Sequence, residues 1–221
     1  MAVTHELKTP LASMKLYLET MQSAKVTEDN KRKVIPKIGR DLTRLEGLVE
    51  NILEAGRFSR SAVTVHKTEF DFSRLVGSTL DDFSDRARLA RIRLESSIEP
   101  EIRVEGDPAV VRKSLEALLD NAAKYGPGES AQILTELKRN GQYAELSIRD
   151  QGIGLEKKEL EAIFQRFYRV GNELTRTSPG SGLGLYLARE MIKANGGEIV
   201  ARSEGPGQGA EFIIRLPVTT K

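Results

Sequence analysis

Cysteine and tryptophan are both absent from the 221 residues, and aromatic side chains account for only 5% of them. Without cysteine there is no disulfide framework and no thiolate-bound metal centre, which suits a reducing compartment. Long apolar runs are missing too. None approaches the roughly 20 residues that a membrane-spanning helix needs, and no signal-peptide pattern opens the chain. Neither charge sign dominates: 34 Lys and Arg stand against 32 Asp and Glu. The net charge of +2 gives no electrostatic drive toward nucleic acid or a membrane surface. What is present, 39% hydrophobic and 30% charged residues, suits one or two soluble domains with a real core. Met1 stands just before His5 inside a helical pattern, as expected of a fragment whose upstream part is missing.

The first segment has helical periodicity. Val3, Leu7, Leu11, Met14, Leu18 and Met21 recur at steps of three and four. After a polar break at Thr27-Glu28-Asp29-Asn30, the same steps connect Ile35, Ile38, Leu42, Leu45, Val49 and Ile52. These are coiled-coil-like seams, and two such helices joined by a short loop make an antiparallel hairpin. A lone hairpin leaves much of its stripe wet, so pairing with a second copy into a four-helix bundle is one solution and packing on its own chain another. The seam is lost from Gly56 to Ser61, which predicts a hinge.

Beyond it the pattern is α+β. Strands are expected over 63–70, 92–98 and 102–104, and a helix over 72–89. Asp107-Pro108 is a helix start, an acid cap followed by proline in the first turn. Two alternating strands, 132–137 and 143–148, flank a turn at Asn140-Gly141. A helix over 183–194 ends at Asn195-Gly196-Gly197, and strands through Val200 and over 212–216 close the chain.

Four clusters carry potential chemistry. In His5-Glu6-Leu7-Lys8-Thr9-Pro10-Leu11, the seam residues Val3 and Leu7 set His5 on another face, one turn from Lys8 and Thr9. Pro10 offers no amide to the carbonyl of Glu6 and should bend the helix. An exposed imidazole beside a carboxylate can act as a nucleophile near neutral pH; an ordinary surface histidine reads the same way. A zinc-protease motif is excluded, because Thr9 stands where the second histidine belongs. Asn121, Lys124 and Tyr125 share one helical turn: an amide oxygen suits Mg²⁺, an ammonium suits phosphate and a phenol ring stacks on a base. The same residues are common at ordinary helix ends. Asp150-Gln151-Gly152-Ile153-Gly154 follows a strand and can set a carboxylate against an exocyclic amine beside bare backbone. Gly180-Ser181-Gly182-Leu183-Gly184-Leu185 opens a helix, where backbone amides approach a polyphosphate. It is neither a P-loop nor a Rossmann turn. The polar stretch before it carries Lys157, Lys158, Arg166, Arg169 and Arg176 with Phe164, Phe167 and Tyr168, a pattern of a lid or of a surface loop with an aromatic anchor.

Taken in order, these clusters and Phe164-Gln165-Arg166-Phe167-Tyr168-Arg169 resemble the H, N, G1, F and G2 boxes of the sensor histidine kinases of two-component systems. The resemblance covers essentially the whole chain. It implies an α+β organisation: a dimerisation and histidine-phosphotransfer hairpin over 1–58, a hinge over 59–66, and an ATP-binding α/β sandwich of Bergerat type over 67–221. By resemblance, His5 is the phospho-acceptor, Glu6 its supporting base and Thr9 the residue that aims water when the partner regulator is dephosphorylated. Asn121 corresponds to the Mg²⁺ ligand, Lys124 to a phosphate contact, Tyr125 to an adenine-pocket wall and Asp150 to the acceptor of the adenine amine. Gly152, Gly154, Gly180, Gly182, Leu183 and Gly184 would fit the backbone around ATP, and Arg169 would reach the γ-phosphate. Two positions depart from the family pattern. Ala117 stands where a second Asn often opens the N box, and Ala210, in Gly207-Gln208-Gly209-Ala210, where Ser or Thr is usual. Each loses a polar contact, so weaker nucleotide binding is expected.

The resemblance implies in-line attack of the His5 imidazole on the γ-phosphate of Mg·ATP, then transfer to an aspartate on the receiver domain of a response regulator. The hairpin would form a homodimer, and the fragment would be cytoplasmic, touching neither membrane nor nucleic acid, in a parent anchored in a bacterial inner membrane. Two alternatives stand beside it. One is a non-kinase ATPase of the same nucleotide fold, with Asp120 activating water; the other is a degenerate kinase kept as a dimeric regulator-binding scaffold.

Overall fold

The computed structural model describes residues 2–22, 28–59, 65–126, 131–171 and 181–219. The chain divides into two compact units, Met1–Ser59 and Arg60–Lys221.

The first unit holds α1 (Ala2–Gln22) and α2 (Glu28–Ser59), which pack on one another. Their apolar seam splits in two. Leu7, Met14 and Met21 of α1 and Ile38, Leu45 and Ile52 of α2 are half-buried. Leu11 and Leu18, with Ile35, Leu42 and Val49, stay exposed, at 44–57% of their surface. Residues seven apart share a side of a helix, so two helices cover one side of the stripe and leave the other wet. α1 runs on through Pro10, which is buried. Two expectations need correction. Glu28, Asp29 and Asn30 are already helical, and α2 continues through Gly56 to Ser59. A good run of helix formers carries the backbone through Gly56, whose single missing side chain costs about 1 kcal/mol and breaks nothing. Of the hinge expected over 59–66, Ser59 is helical and 60–64 lie outside the described residues.

The second unit is an α/β sandwich. Its elements are β1 (Thr68–Asp71), α3 (Phe72–Leu89), β2 (Arg93–Ile98), β3 (Arg103–Gly106), α4 (Pro108–Tyr125), β4 (Gln132–Asn140) and β5 (Tyr143–Asp150). A short α5 (Glu159–Ala162) follows, then α6 (Gly184–Ala194), β6 (Glu198–Arg202) and β7 (Glu211–Pro217). The five-stranded sheet runs β2-β4-β5-β7-β6, parallel only between β2 and β4, while β1 and β3 form a separate antiparallel pair. Alternation sorts the strands. Ile133, Leu137, Leu146, Ile148, Phe212 and Ile214 face one core with Phe72, Val76 and Phe83 of α3, Leu115 and Leu118 of α4 and Ala188 and Ile192 of α6. On the opposite face Arg215 bridges Glu145 and Glu198 across three strands, at 2.9 Å each.

Capping fixes where α4 starts. The Asp107 carboxylate accepts from the amides of Ala109 and Val110, and Pro108 fills the first turn, where no amide is needed. The strand expected over 63–70 begins only at Thr68, since 65–67 join no strand among the described residues and 63–64 lie outside them. The β4–β5 hairpin turns at Gly141-Gln142, because Asn140 still pairs with Tyr143; Gly141 takes the positive φ of 62°. Among the described residues no helix is long and apolar enough to cross a membrane.

Candidate functional site

On the first unit, His5 and Glu6 lie in α1, and their side chains are outside the described set. Lys8 and Thr9, one turn further, are exposed. The other histidine, His66, precedes β1 in the second unit, where its backbone N–H donates to Asp107 Oδ2 at 3.1 Å.

On the second unit the predicted residues converge at the end of α4. Asn121, Lys124 and Tyr125 are half-buried there, and the Lys124 ammonium sits 4.7 Å from the centre of the Tyr125 ring. One hydrogen bond and one close approach join this end to the loop that follows β5. The Tyr125 carbonyl accepts from the N–H of Ile153 at 3.2 Å, and Gly152 lies so close to it that a side chain would collide with that carbonyl. Gly154 takes φ of 67° and lies directly against the Gly205 backbone. These two glycines therefore have a reason internal to the protein.

Asp150 ends β5 almost fully buried. Its Oδ1 accepts from the N–H of Gly152 at 2.7 Å and of Ala210 at 3.3 Å. Oδ2 has no partner among the described residues. Burial raises the Asp150 pKa above the usual aspartate value, and the two backbone N–H groups oppose the rise without cancelling it.

The polar stretch after Leu155 is anchored. Phe164 is buried edge-on against Phe212, with ring centroids 6.3 Å apart, and the Arg189 guanidinium stacks on its outer side at 4.7 Å. The Arg166 guanidinium donates to the Tyr186 hydroxyl at 2.6 Å. Phe167 holds a left-handed φ of 63° and donates its N–H to the Gly182 carbonyl at 3.0 Å. Such a conformation is strained for an aromatic residue. Gly182 is pressed on the Phe167 and Tyr168 backbone, whereas Gly184, exposed at the start of α6, has open space beside it. Leu183 is fully buried in the core, and Arg169 is half-buried just beyond Tyr168. Gly180 and Arg176 lie outside the described residues.

Residues 1–60 match the family described as the His Kinase A (phospho-acceptor) domain, and residues 106–220 the family described as histidine kinase-, DNA gyrase B-, and HSP90-like ATPases. The chain belongs to the two-component sensor histidine kinases. It is 32% identical over 218 residues, 97% of its length, to the sensor protein kinase WalK of Staphylococcus haemolyticus. It is 29% identical over 215 residues to the sensor-like histidine kinase SenX3 of Mycobacterium tuberculosis. It spans 35% of the first relative and 52% of the second. Full-length ShkA in complex with AMPPNP superposes on 98% of the chain with a TM-score of 0.74 at 25% identity, the chain covering 45% of that structure.

In this histidine kinase core the two departures have structural counterparts. Ala117 is half-buried against the core, and Ala210 contributes to the Asp150 site through its backbone N–H. Sequence reading missed Ser203, whose hydroxyl ties the loop after β6 to the loop after β5. Its only sequence signal is its place between a strand and a glycine-rich turn.

Proposed function

We propose that this chain is the catalytic core of a sensor histidine kinase, which transfers the γ-phosphoryl group of ATP to His5 and then to an aspartate on the receiver domain of a response regulator. One observation carries the reading. A buried carboxylate, Asp150, has one oxygen fixed by backbone amides and the other unpartnered, within a chain whose first 60 residues match a phospho-acceptor domain. The unpartnered oxygen suits the exocyclic amine of adenine. The open side of Gly184 suits phosphate approach to the start of α6. Lys124 and Arg169 supply positive charge, Tyr125 an aromatic wall, and Gly152, Gly154, Gly182 and Leu183 shape the surrounding backbone.

Mg²⁺ fits the residues present. The Asn121 amide is half-buried with no partner among the described residues, and no cluster of three carboxylate or histidine ligands competes nearby. Mg²⁺ takes few protein ligands and completes its shell with water and substrate phosphates. Bound by Asn121, it would offset charge on the phosphate oxygens. At the acceptor, Glu6 would hold the second ring nitrogen of His5, leaving the first free to attack. Thr9 would position water when the phosphorylated regulator is hydrolysed.

The hairpin serves as the dimerisation element, since its exposed heptad residues form a second apolar side for another copy. A cytoplasmic location follows from this chemistry. The ATPase alternative fits less well, because it leaves the phospho-acceptor match over residues 1–60 without a role.

The test is labelling by γ-phosphate from Mg·ATP, comparing the unaltered chain with His5→Gln. Acid-labile, alkali-stable label that disappears in the variant is the expected result. Label that persists in the variant moves the acceptor elsewhere and defeats the assignment.

A further inference from the structure

Ser203 leaves β6 and reaches across to two glycine-rich loops. Its Oγ accepts from the N–H of Leu155 at 3.0 Å and of Gly205 at 3.2 Å, and donates to the carbonyl of Gly209 at 2.6 Å. One donor and two lone pairs are all a hydroxyl has, so Ser203 is saturated. The Gly209 carbonyl shares a rigid peptide plane with the Ala210 N–H, which donates to Asp150 Oδ1 on the other side. Fixing one edge of that plane aims the other. Two neighbouring bonds complete the brace: Gly207 N–H to the Ile153 carbonyl at 2.6 Å and Gly209 N–H to the Gly152 carbonyl at 3.1 Å.

We infer that Ser203 is a positioning residue for adenine recognition, which acts through the Gly209–Ala210 peptide to orient the Asp150 carboxylate. The inference rests on the reading that Asp150 accepts the adenine amine. The Ala210 bond, at 3.3 Å, is the longer of the two that hold Oδ1 and therefore the one most easily lost when the peptide tilts. Among the described residues no charged side chain contributes to the environment of Asp150, which is set by burial and the two N–H groups. The charged neighbours in the chain, Arg149 and Glu211, pair with each other at 3.0 Å, and Lys124 lies over the Tyr125 ring. The electrostatic consequence of losing Ser203 is therefore isolated: Asp150 keeps its burial and loses an N–H donor, so its carboxyl holds its proton to a higher pH.

The experiment measures Mg·ATP and Mg·ITP binding to the full chain by calorimetry across pH, in the unaltered protein, Ser203→Ala, Ser203→Thr and Asp150→Asn. ITP lacks the amine. Ser203→Ala should bind ATP roughly three- to tenfold more weakly, the range of one lost hydrogen bond, while ITP binding holds. Its acid limb for ATP should move to higher pH, and Ser203→Thr should restore both. A merely structural Ser203 would weaken ATP and ITP alike, and that result overturns the proposal even for a less stable variant. If Ser203→Ala binds ATP unchanged while Asp150→Asn loses it, the reading of Asp150 survives and the role of Ser203 is refuted. If Asp150→Asn itself keeps ATP over ITP, the underlying reading falls and the proposal falls with it.

Discussion

A carboxylate kept from water is costly, and the proposed adenine contact would give the burial of Asp150 a use. Its raised pKa means that the folded state disfavours the ionised form relative to the unfolded chain. The sign follows: Asp150 lowers stability at neutral pH, and that penalty fades as pH falls through its raised pKa. Asp150→Asn keeps an oxygen for the Gly152 and Ala210 amides but places an NH₂ where Oδ2 was. Thermal melting at pH 7 should show the variant at least as stable as the unaltered chain, with the gap narrowing toward acid pH. Its ATP affinity should fall about tenfold or more, equivalent to roughly 1.4 kcal/mol. The unaltered protein should begin to lose ATP on acidification above the ordinary aspartate value of about 3.9. A variant that melts lower at pH 7 and binds ATP normally would contradict both halves of this account.

Among the elements, α4 ties most of the site together, because its start is capped by Asp107 and its end carries Asn121, Lys124 and Tyr125. Asp107→Ala removes acceptors for two helix amides and for the His66 N–H, so it should cost about 1–2 kcal/mol, a fall in melting temperature of about 2–8 °C. An unchanged melting temperature would mean the cap contributes nothing. α4 is also where sequence and fold agree best: Asp-Pro marks its start, and its apolar residues recur at helical spacing. Strands with clean alternation, β4 and β5, were equally legible. The parallel pairing of β2 with β4 was not, because nothing local encodes a register between strands separated by α4. α5 was hidden as well, being a single turn inside a charged stretch. At the site, residue types and order pointed to Asn121, Lys124, Tyr125 and Asp150. Ser203 stayed invisible, since its significance lies in bonding an amide 48 residues away.

For the molecule as a whole, the proposed dimer rests on the wet side of the hairpin. Ile35, Leu42 and Val49 repeat every seven residues along α2, all exposed. Leu42→Glu would place a charge on that stripe and should weaken dimerisation about tenfold or more, measured by sedimentation velocity, while the second unit keeps its ATP binding. An unaltered dimer would place the interface elsewhere. The sheet of the second unit has a different consequence, which concerns time. β7, the last of the sheet's strands in sequence, is inserted between β5 and β6. While a ribosome makes some 5–20 residues per second, β6 emerges with no neighbour to hold it. A chain interrupted before residue 211 therefore leaves β6 without the one strand it pairs with.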